Sequence, residues 1–203
     1  LNQVDLAAMR PMRVVLDAGN GAAGHVVDEI ERRFQAANIP VNFIKINNDP
    51  DGHFPHGVPN PLLPGNRAIT SAAVRENNAD LGIAWDGDFD RCFFYDASGR
   101  FISGYYVAGL LMSHFLERHG PATLVVDSRL NWNSYDIVQS AGGKAVPSKT
   151  GHLFFKQVMR REQAEYGGEV SAHHYFKSFC YCDSGMLPWL LMLEHLSRHK
   201  TSL

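Results

Sequence analysis

Residues 81–95 read Leu81-Gly-Ile-Ala-Trp85, then Asp86-Gly-Asp-Phe-Asp90-Arg91, then Cys92-Phe-Phe-Tyr95. The two outer segments are short apolar runs, and the middle one combines three carboxylates with a glycine. Short apolar runs that end at turn residues predict buried strands. The turn residues Asp96-Ala-Ser-Gly99 follow, so the pattern predicts a hairpin whose acidic loop is held on a rigid scaffold.

The N-terminal segment predicts a strand, a glycine-rich turn and a helix, followed by a second strand. The strands are Arg13–Asp17 and Val41–Ile46, and the helix spans Val26–Ala37, where apolar residues recur at helical spacing. The next segment, Asn48–Pro64, is dense in residues that interrupt both kinds of periodic structure. We expect one long functional loop there, before a helix over Ile69–Asn78.

The C-terminal half repeats this order. Val14–Asp17 matches Leu124–Asp127, and Ala79–Asp88 matches Ala164–His173. Further elements are predicted as helix Tyr105–His119, strand Thr123–Asp127, helix Ser134–Ala141, strand Lys144–Pro147, helix Gly151–Arg161 and helix Gly185–Arg198. The fold class is therefore α/β, with two similar three-layer α/β/α domains whose mixed sheets are mostly parallel, over residues 1–100 and 101–203.

The acidic loop is the first candidate site. Asp86, Asp88 and Asp90 repel one another at this spacing, so the loop requires a cation. All-oxygen ligands at a strand end favour a hard divalent ion, and we predict Mg²⁺. An EF-hand is excluded because its sixth position is Arg91 and its twelfth is Ala97. Arg91 is expected to neutralise the carboxylates or to bind a phosphate.

A second candidate site is the segment Glu169–His174. Open α/β sheets bind ligands in loops beyond the carboxyl ends of their strands. This segment occupies the same place in the second half as the acidic loop in the first. We therefore expect the chemistry of the chain to lie in these two loops.

Composition excludes several classes of function. Nineteen Lys and Arg residues against 21 Asp and Glu residues give a net charge of −2, which offers no basic surface for nucleic acid and no polybasic membrane anchor. The apolar run Met186–Leu193 is too short to span a bilayer. Three cysteines favour a cytoplasmic protein without a disulfide framework. The chain opens at Leu1 without a methionine or a secretion signal, which is consistent with a piece of a longer protein.

Several motifs together resemble the α-D-phosphohexomutase family, and most closely its bacterial phosphomannomutase branch. Asp86-Gly-Asp-Phe-Asp-Arg-Cys92 resembles the metal loop of the family. Gly168-Glu-Val-Ser-Ala-His-His-Tyr-Phe176 resembles its sugar-recognition loop. Ser148-Lys-Thr-Gly-His152 and Asn48–Pro64 are also similar to family segments, and the motifs occur in the family order over nearly the whole chain.

The resemblance implies a four-domain enzyme that moves a phosphoryl group between the 1- and 6-positions of a hexose. The reaction passes through a phosphoserine and a bisphosphorylated sugar, so the implied ligands are mannose 1-phosphate, mannose 6-phosphate and glucose phosphates. Residues 1–100 would be the second domain, with the metal loop, and residues 101–203 the third, with the sugar loop. The first and fourth domains would be partners that this chain lacks.

The resemblance also implies roles for individual residues. Asp86, Asp88 and Asp90 would hold Mg²⁺, with Arg91 as a catalytic residue beside the phosphate. Three residues of the sugar loop would address the substrate, with Glu169 and Ser171 at sugar hydroxyls and His173 as an acid/base candidate near the transferring oxygen. Three further residues would line the same cleft, namely the catalytic candidates Lys149 and His152 and the substrate-binding candidate Arg129.

The chain departs from the family pattern in one decisive respect. The family nucleophile lies in a Ser-His-Asn-Pro segment, and no serine of this sequence stands in such a context. We therefore expect the chain alone to bind ligands without turning them over. Two alternatives stay open: a Mg²⁺-dependent phosphatase with an aspartate nucleophile in the Asp-Gly-Asp loop, and a non-catalytic sugar-phosphate or metal-binding module. The phosphatase motif normally has threonine or valine where this chain has Asp90.

Overall fold

The first sheet has five strands, and the first of them along the chain is an apolar inner strand. The computed structural model describes residues 1–203. The strands of this sheet are β1 (Met12–Asp17), β2 (Val41–Ile46), β3 (Leu81–Trp85), β4 (Cys92–Tyr95) and β5 (Phe101–Ile102). Their order is β2-β1-β3-β4-β5, with β1 parallel to β2 and β3, and with antiparallel pairing from β3 to β5. Val14 of β1 is fully buried and lies opposite Phe43 of β2 and Leu81 of β3.

The second sheet has the same topology. Its strands are β6 (Thr123–Asp127), β7 (Lys144–Ser148), β8 (Tyr166–Gly168), β9 (His174–Phe176) and β10 (Cys182–Asp183). Their order is β7-β6-β8-β9-β10, with β6 parallel to β7 and β8, and with antiparallel pairing from β8 to β10. Strand β6 therefore corresponds to β1, and β8 to β3, so the predicted repeat and the predicted mixed sheets are confirmed.

Six helices accompany the sheets, close to the predicted segments. They are α1 (Ala23–Ala36), α2 (Ala68–Glu76), α3 (Gly104–His119), α4 (Trp132–Ser140), α5 (His152–Glu162) and α6 (Leu187–His199). Three short 3-10 helices cover Leu6–Ala8, Pro64–Asn66 and Lys177–Phe179. None of these helices combines the length and the apolar character needed to cross a membrane.

The second sheet shows how the layers form. Neighbouring residues of a strand point to opposite faces of a sheet. Tyr166 of β8 stacks on Phe115 of α3 at a ring distance of 5.1 Å. Tyr175 of β9 stacks on Phe155 of α5, also at 5.1 Å. Because α3 and α5 pack on opposite faces, this unit has the predicted helix–sheet–helix layering.

Contacts within the chain divide it into two units. The first comprises Leu1–Ile102 with Trp189–Leu203, and the second comprises Ser103–Pro188. In the first unit the buried Trp189 packs edge-on against Phe43 and Trp85, at ring distances of 5.6 and 6.0 Å. The C-terminal segment is thus grouped with the first unit, whereas the sequence pattern assigns residues 101–203 to one domain. The domain boundary at residue 100 stays a prediction.

We expect substitution of Gly24 to disrupt the first unit. A Cβ atom at Gly24, in the first turn of α1, would lie 1.8 Å from the backbone oxygen of Asn48. Alanine normally stabilises a helix relative to glycine by about 1 kcal/mol. At Gly24 the clash with the Asn48 backbone outweighs this stabilising effect of alanine. G24A should therefore lower the free energy of unfolding by about 2 kcal/mol or more. Urea unfolding followed by circular dichroism measures this change.

Gly65 supplies the control for this prediction. A Cβ atom at Gly65 would meet no atom within 4 Å, so G65A should alter stability by less than about 0.5 kcal/mol. Equal stability of G24A and the unsubstituted chain would contradict the close approach.

Candidate functional site

The acidic loop brings its three carboxylates together. Asp86 follows β3 and is buried, Asp90 is partly buried and Asp88 is exposed. One oxygen from each side chain lies within 4.8 Å of the others. Phe89 has a left-handed backbone with φ 50°, and its N–H donates to the Asp86 carbonyl oxygen at 3.1 Å. This tight turn allows side chains two residues apart to converge on one point.

Arg91 is paired with the buried member of the cluster. Its Nε donates to Asp86 Oδ2 at 2.5 Å, and its backbone N–H donates to Asp86 Oδ1 at 3.2 Å. Arg91 Nε also lies 3.8 Å from Asp90 Oδ1. Of the two roles expected for Arg91, the structure shows neutralisation of the carboxylates.

Neighbouring backbone segments support the acidic loop. The Ala22 N–H, just before α1, donates to the Gly87 carbonyl oxygen at 3.0 Å. A Cβ atom at Gly21 would lie 2.7 Å from that same oxygen. A Cβ atom at Gly87 would lie 3.4 Å from Phe54 Cζ, so the long loop packs next to the acidic loop. The glycines therefore allow three chain segments to meet at this edge of the first sheet.

The donor set of the acidic loop suits Mg²⁺. Oxygen ligands about 2.1 Å from this ion lie at most about 4.2 Å apart. One oxygen from each of the three carboxylates lies within 4.8 Å of the others, so a small movement of the exposed Asp88 would bring them within this limit. Asp86, Asp88 and Asp90 thus fit a small, hard cation with water or phosphate oxygens as its remaining ligands.

In the second unit, Glu169 and Ser171 form a hydrogen-bonded pair. The Ser171 hydroxyl donates to Glu169 Oε2 at 2.8 Å, and the Tyr175 hydroxyl donates to Glu169 Oε1 at 2.6 Å. The Glu169 N–H donates to the His173 carbonyl oxygen at 2.9 Å, and Ala172 has a left-handed backbone with φ 74°. Glu169 is buried and Ser171 is partly exposed, so the serine is the accessible end of the pair.

His173 lies beside Asp183, which also contacts Lys156 of α5. Its Nδ1 is 3.3 Å from Asp183 Oδ2, and Lys156 Nζ is 2.7 Å from Asp183 Oδ1. Burial raises the pKa of Asp183, but the adjacent His173 and Lys156 outweigh burial and hold that pKa well below its ordinary value. Asp183 therefore lies between His173 and Lys156, at a distance from which its charge is able to orient the His173 ring.

His174, the neighbour of His173, belongs to the core. It is fully buried, and its Nδ1 lies 2.6 Å from the Tyr166 hydroxyl oxygen. Burial, together with the charge of His173, lowers the pKa of His174 to about 3. His174 is therefore neutral near pH 7 and has no access to a ligand.

Arg129 is held by the buried Asp127 at the end of β6. Its guanidinium donates to Asp127 Oδ2 at 2.6 Å, and the Val170 N–H donates to the same oxygen at 3.1 Å. The Thr150 hydroxyl donates to Asp127 Oδ1 at 3.1 Å. Burial raises the pKa of Asp127, but the hydrogen bonds from Arg129 and Val170 outweigh it, so the net pKa is below its ordinary value. One carboxylate thus joins the segments of Arg129, Thr150 and the sugar loop.

Lys149 and His152 remain exposed in the segment that follows β7. His152 is the first residue of α5, and Lys149 Nζ lies 5.7 Å from the centre of the Phe154 ring. Neither side chain joins the hydrogen-bond network of Glu169. The structure thus places both candidates in a segment that Thr150 joins to Asp127, with no hydrogen bond from either side chain to Glu169 or Ser171.

Four residues of this network are absent from the sequence-based prediction, namely Asp127, Lys156, Tyr175 and Asp183. The sequence does contain a signal for Asp127, because the matched runs Val14–Asp17 and Leu124–Asp127 both end in aspartate. Tyr175 lies within the quoted motif Gly168–Phe176, but the motif does not show which side chain its hydroxyl contacts. Lys156 and Asp183 have no comparable signal, because their roles depend on contacts between separate elements.

Sequence models of the phosphoglucomutase/phosphomannomutase family match almost the whole chain. The model of α/β/α domain II matches residues 1–99, and the model of α/β/α domain III matches residues 103–203. The chain belongs to this family. Its two units are thus related to the second and third domains of phosphohexomutases.

Similar proteins are longer than this chain. An Escherichia coli phosphomannomutase is 58% identical over 204 residues, which represent 100% of this chain and 45% of that protein. A Vibrio cholerae phosphomannomutase is 55% identical and is matched over 97% of this chain and 42% of its own length. A Xanthomonas campestris protein named phosphohexose mutases is 52% identical, with 100% and 44% coverage. The chain therefore spans less than half the length of these relatives.

Solved structures have the same fold. A phosphoglucomutase/phosphomannomutase family protein from Burkholderia thailandensis matches with a TM-score of 0.85 and 31% identity, over 95% of this chain and 42% of that one. An N-acetylphosphoglucosamine mutase from Aspergillus fumigatus, in complex with GlcNAc-6P and magnesium, matches with a TM-score of 0.65 at 15% identity, over 96% and 44%. The second match concerns the fold alone.

The role of Asp127 leads to a stability prediction. D127N should lower the free energy of unfolding at pH 7 by about 1.5–3 kcal/mol, because the buried site loses its charge-assisted hydrogen bonds. A carboxylate with a lowered folded-state pKa stabilises the fold above its unfolded value, about 3.9, and loses this contribution as the pH falls through the folded value. D127N should therefore lose less stability than the unsubstituted chain between pH 5 and the acid limit of folding, as measured by urea unfolding.

Asp136, exposed on α4, supplies the control. D136N should match the unsubstituted chain at each pH. An unchanged stability of D127N at pH 7 would contradict the anchoring role of Asp127.

Proposed function

We propose that this chain is the central, metal- and sugar-binding part of a phosphomannomutase. The complete enzyme would interconvert mannose 6-phosphate and mannose 1-phosphate through a phosphoserine and a hexose 1,6-bisphosphate. The observation that carries this proposal is the Asp86-Asp88-Asp90 cluster, together with the Glu169–Ser171 pair, in a chain 58% identical to a phosphomannomutase. Glucose phosphates are further candidate substrates, and the remaining domains of the longer enzyme are the expected partners.

The first unit would hold Mg²⁺ through Asp86, Asp88 and Asp90. The mutase of Aspergillus fumigatus, which shares this fold, was itself solved in complex with magnesium. When bound, Mg²⁺ neutralises negative charge on a phosphate and so favours phosphoryl transfer. Arg91 pairs with Asp86 and so balances charge in the loop, and it would supply a cation beside a bound phosphate.

The second unit would recognise hydroxyl groups of the sugar. The only hydroxyl proton of Ser171 is donated to Glu169, so the lone pairs of Ser171 are left to accept from a sugar hydroxyl. Each Glu169 oxygen already accepts one hydrogen bond and retains acceptor capacity. The pair would therefore act as an acceptor for hydroxyl groups, with Ser171 as the more exposed contact.

His173 would serve as the acid/base residue. Asp183 faces its Nδ1, so proton exchange with a substrate would proceed through Nε2. Arg129, Lys149 and His152 would line the phosphate-binding cleft, each from a segment that follows a parallel strand. The free cysteines agree with a cytoplasmic setting for the enzyme.

The phosphatase alternative receives less support. In that chemistry the aspartate nucleophile must be accessible to the phosphorus atom. Asp86, the first aspartate of the loop, is buried and paired with Arg91. We therefore favour the mutase.

Metal binding is the first test of the proposal. Titration with MgCl₂ by calorimetry should show one site, and D88N should weaken its affinity by about 10-fold because one charged ligand is lost. Asp88 is the suitable position because it is exposed, whereas Asp86 also anchors Arg91. D136N should bind like the unsubstituted chain, and equal affinity of D88N and D136N would exclude the proposed ligand set.

Binding without turnover is the second test. The pure chain should bind mannose 6-phosphate in calorimetry, and it should not convert mannose 1-phosphate in a coupled assay. S171A should weaken binding by about 5- to 10-fold, since one hydrogen bond to the sugar is lost. S140A, at an exposed position of α4, is the control. Measurable conversion by the pure chain would show that it contains a nucleophile outside the family pattern.

A further inference from the structure

We propose that Tyr175 is a positioning residue for the sugar loop. Its hydroxyl fixes the buried Glu169 carboxylate, and the carboxylate in turn directs the Ser171 hydroxyl so that the serine lone pairs face the sugar. This inference rests on the proposed sugar-binding function, and it assigns a specificity role to a core tyrosine that makes no contact with a ligand itself.

The three side chains form a short relay of hydrogen bonds. The Tyr175 hydroxyl is 2.6 Å from Glu169 Oε1, and the Ser171 hydroxyl is 2.8 Å from Glu169 Oε2. Tyr175 and Glu169 are 0% and 1% exposed, so no water replaces a lost donor at low cost. The direction of the Ser171 proton therefore depends on a carboxylate that is held from its other oxygen by Tyr175.

The ring of Tyr175 is itself fixed by the core. It stacks on Phe155 of α5 with an interplanar angle of 19°. Gly167 lies opposite Tyr175 in the sheet, and a Cβ atom at Gly167 would already be 3.1 Å from Phe155 Cδ1. Lys156 Nζ lies 5.9 Å from the centre of the Tyr175 ring. Because the Tyr175 ring is packed against α5, its hydroxyl holds the Glu169 carboxylate at a fixed place relative to that helix.

Tyr166 provides a matched control. It is also 0% exposed, it lies in the neighbouring strand β8, and its hydroxyl oxygen is 2.6 Å from His174 Nδ1. Its ring packs on Phe115 of α3, on the other face of the sheet. Y166F and Y175F therefore each remove one buried hydroxyl group with a short hydrogen bond, but only Y175F affects Glu169.

The first experiment needs no ligand. In the chain labelled with ¹³C at glutamate side-chain carboxyl groups, the Glu169 signal is assigned by its loss in E169Q. Y175F should shift this signal, and Y166F should leave it unchanged. An unshifted Glu169 signal in Y175F would overturn the proposal. If Y175F does not fold, the NMR signal of the protected Tyr175 hydroxyl proton is compared between the unsubstituted chain and S171A. The relay predicts that S171A shifts this signal, and an unshifted signal would overturn the proposal.

The second experiment measures sugar recognition by calorimetry. Y175F should bind mannose 6-phosphate about 10-fold more weakly, the loss expected for a hydrogen bond to a charged group, while Y166F stays within about 2-fold of the unsubstituted chain. Inorganic phosphate, which has no sugar hydroxyl groups, should bind all three equally.

A double-variant cycle separates positioning from general loosening of the fold. Y175F should weaken the S171A chain less than it weakens the unsubstituted chain, because part of its effect acts through Ser171. Full affinity of Y175F, or fully additive losses in the double variant, would overturn the proposal. Failure of the unsubstituted chain to bind mannose 6-phosphate would contradict the proposed function instead, and the ligand-free carboxyl signal would still decide the role of Tyr175.

Discussion

A buried carboxylate at the carboxyl end of the first strand constrains each unit. Asp17 ends β1 and accepts from the Gly19 N–H, the Asn47 amide and the Thr70 hydroxyl at 3.0, 2.9 and 2.7 Å. Asp127 ends β6 and accepts from Arg129, Thr150 and Val170. A buried charge is tolerable only where hydrogen bonds replace its lost hydration. The loops that supply those donors must therefore close over the same edge of the sheet, which is where the candidate sites lie.

The common topology explains how one framework presents two kinds of site. In each unit the candidate loop follows the third strand along the chain and precedes an antiparallel partner, as Asp86–Asp90 does after β3 and Glu169–His173 after β8. A left-handed residue, Phe89 or Ala172, gives each loop its tight turn. The two loops share this backbone turn and differ in their side chains. The three converging carboxylates of the first loop suit a cation, and the carboxylate–hydroxyl pair of the second suits a sugar.

Sequence patterns predict those parts of the structure that depend on local periodicity. Apolar runs such as Leu81–Trp85 indicate the buried strands, and the clustered aspartates indicate the metal loop, because both signals lie within a few consecutive residues. Contacts between distant elements leave no such signal. The packing of Trp189 against Phe43 and Trp85 groups the C-terminal segment with the first unit. The contact of Tyr175 with Glu169 likewise depends on how β9 pairs with β8.

The two adjacent histidines show why residue type alone does not identify a site. His173 is the last residue of the loop, and its Nδ1 lies near Asp183. His174 begins β9, points to the α3 face with Tyr166, and has a pKa lowered to about 3 by burial. His174 is neutral near pH 7 and fully buried, so it is unsuited to proton exchange with a ligand. Strand β9 therefore begins with a core residue, and the proposed acid/base role concerns His173 alone.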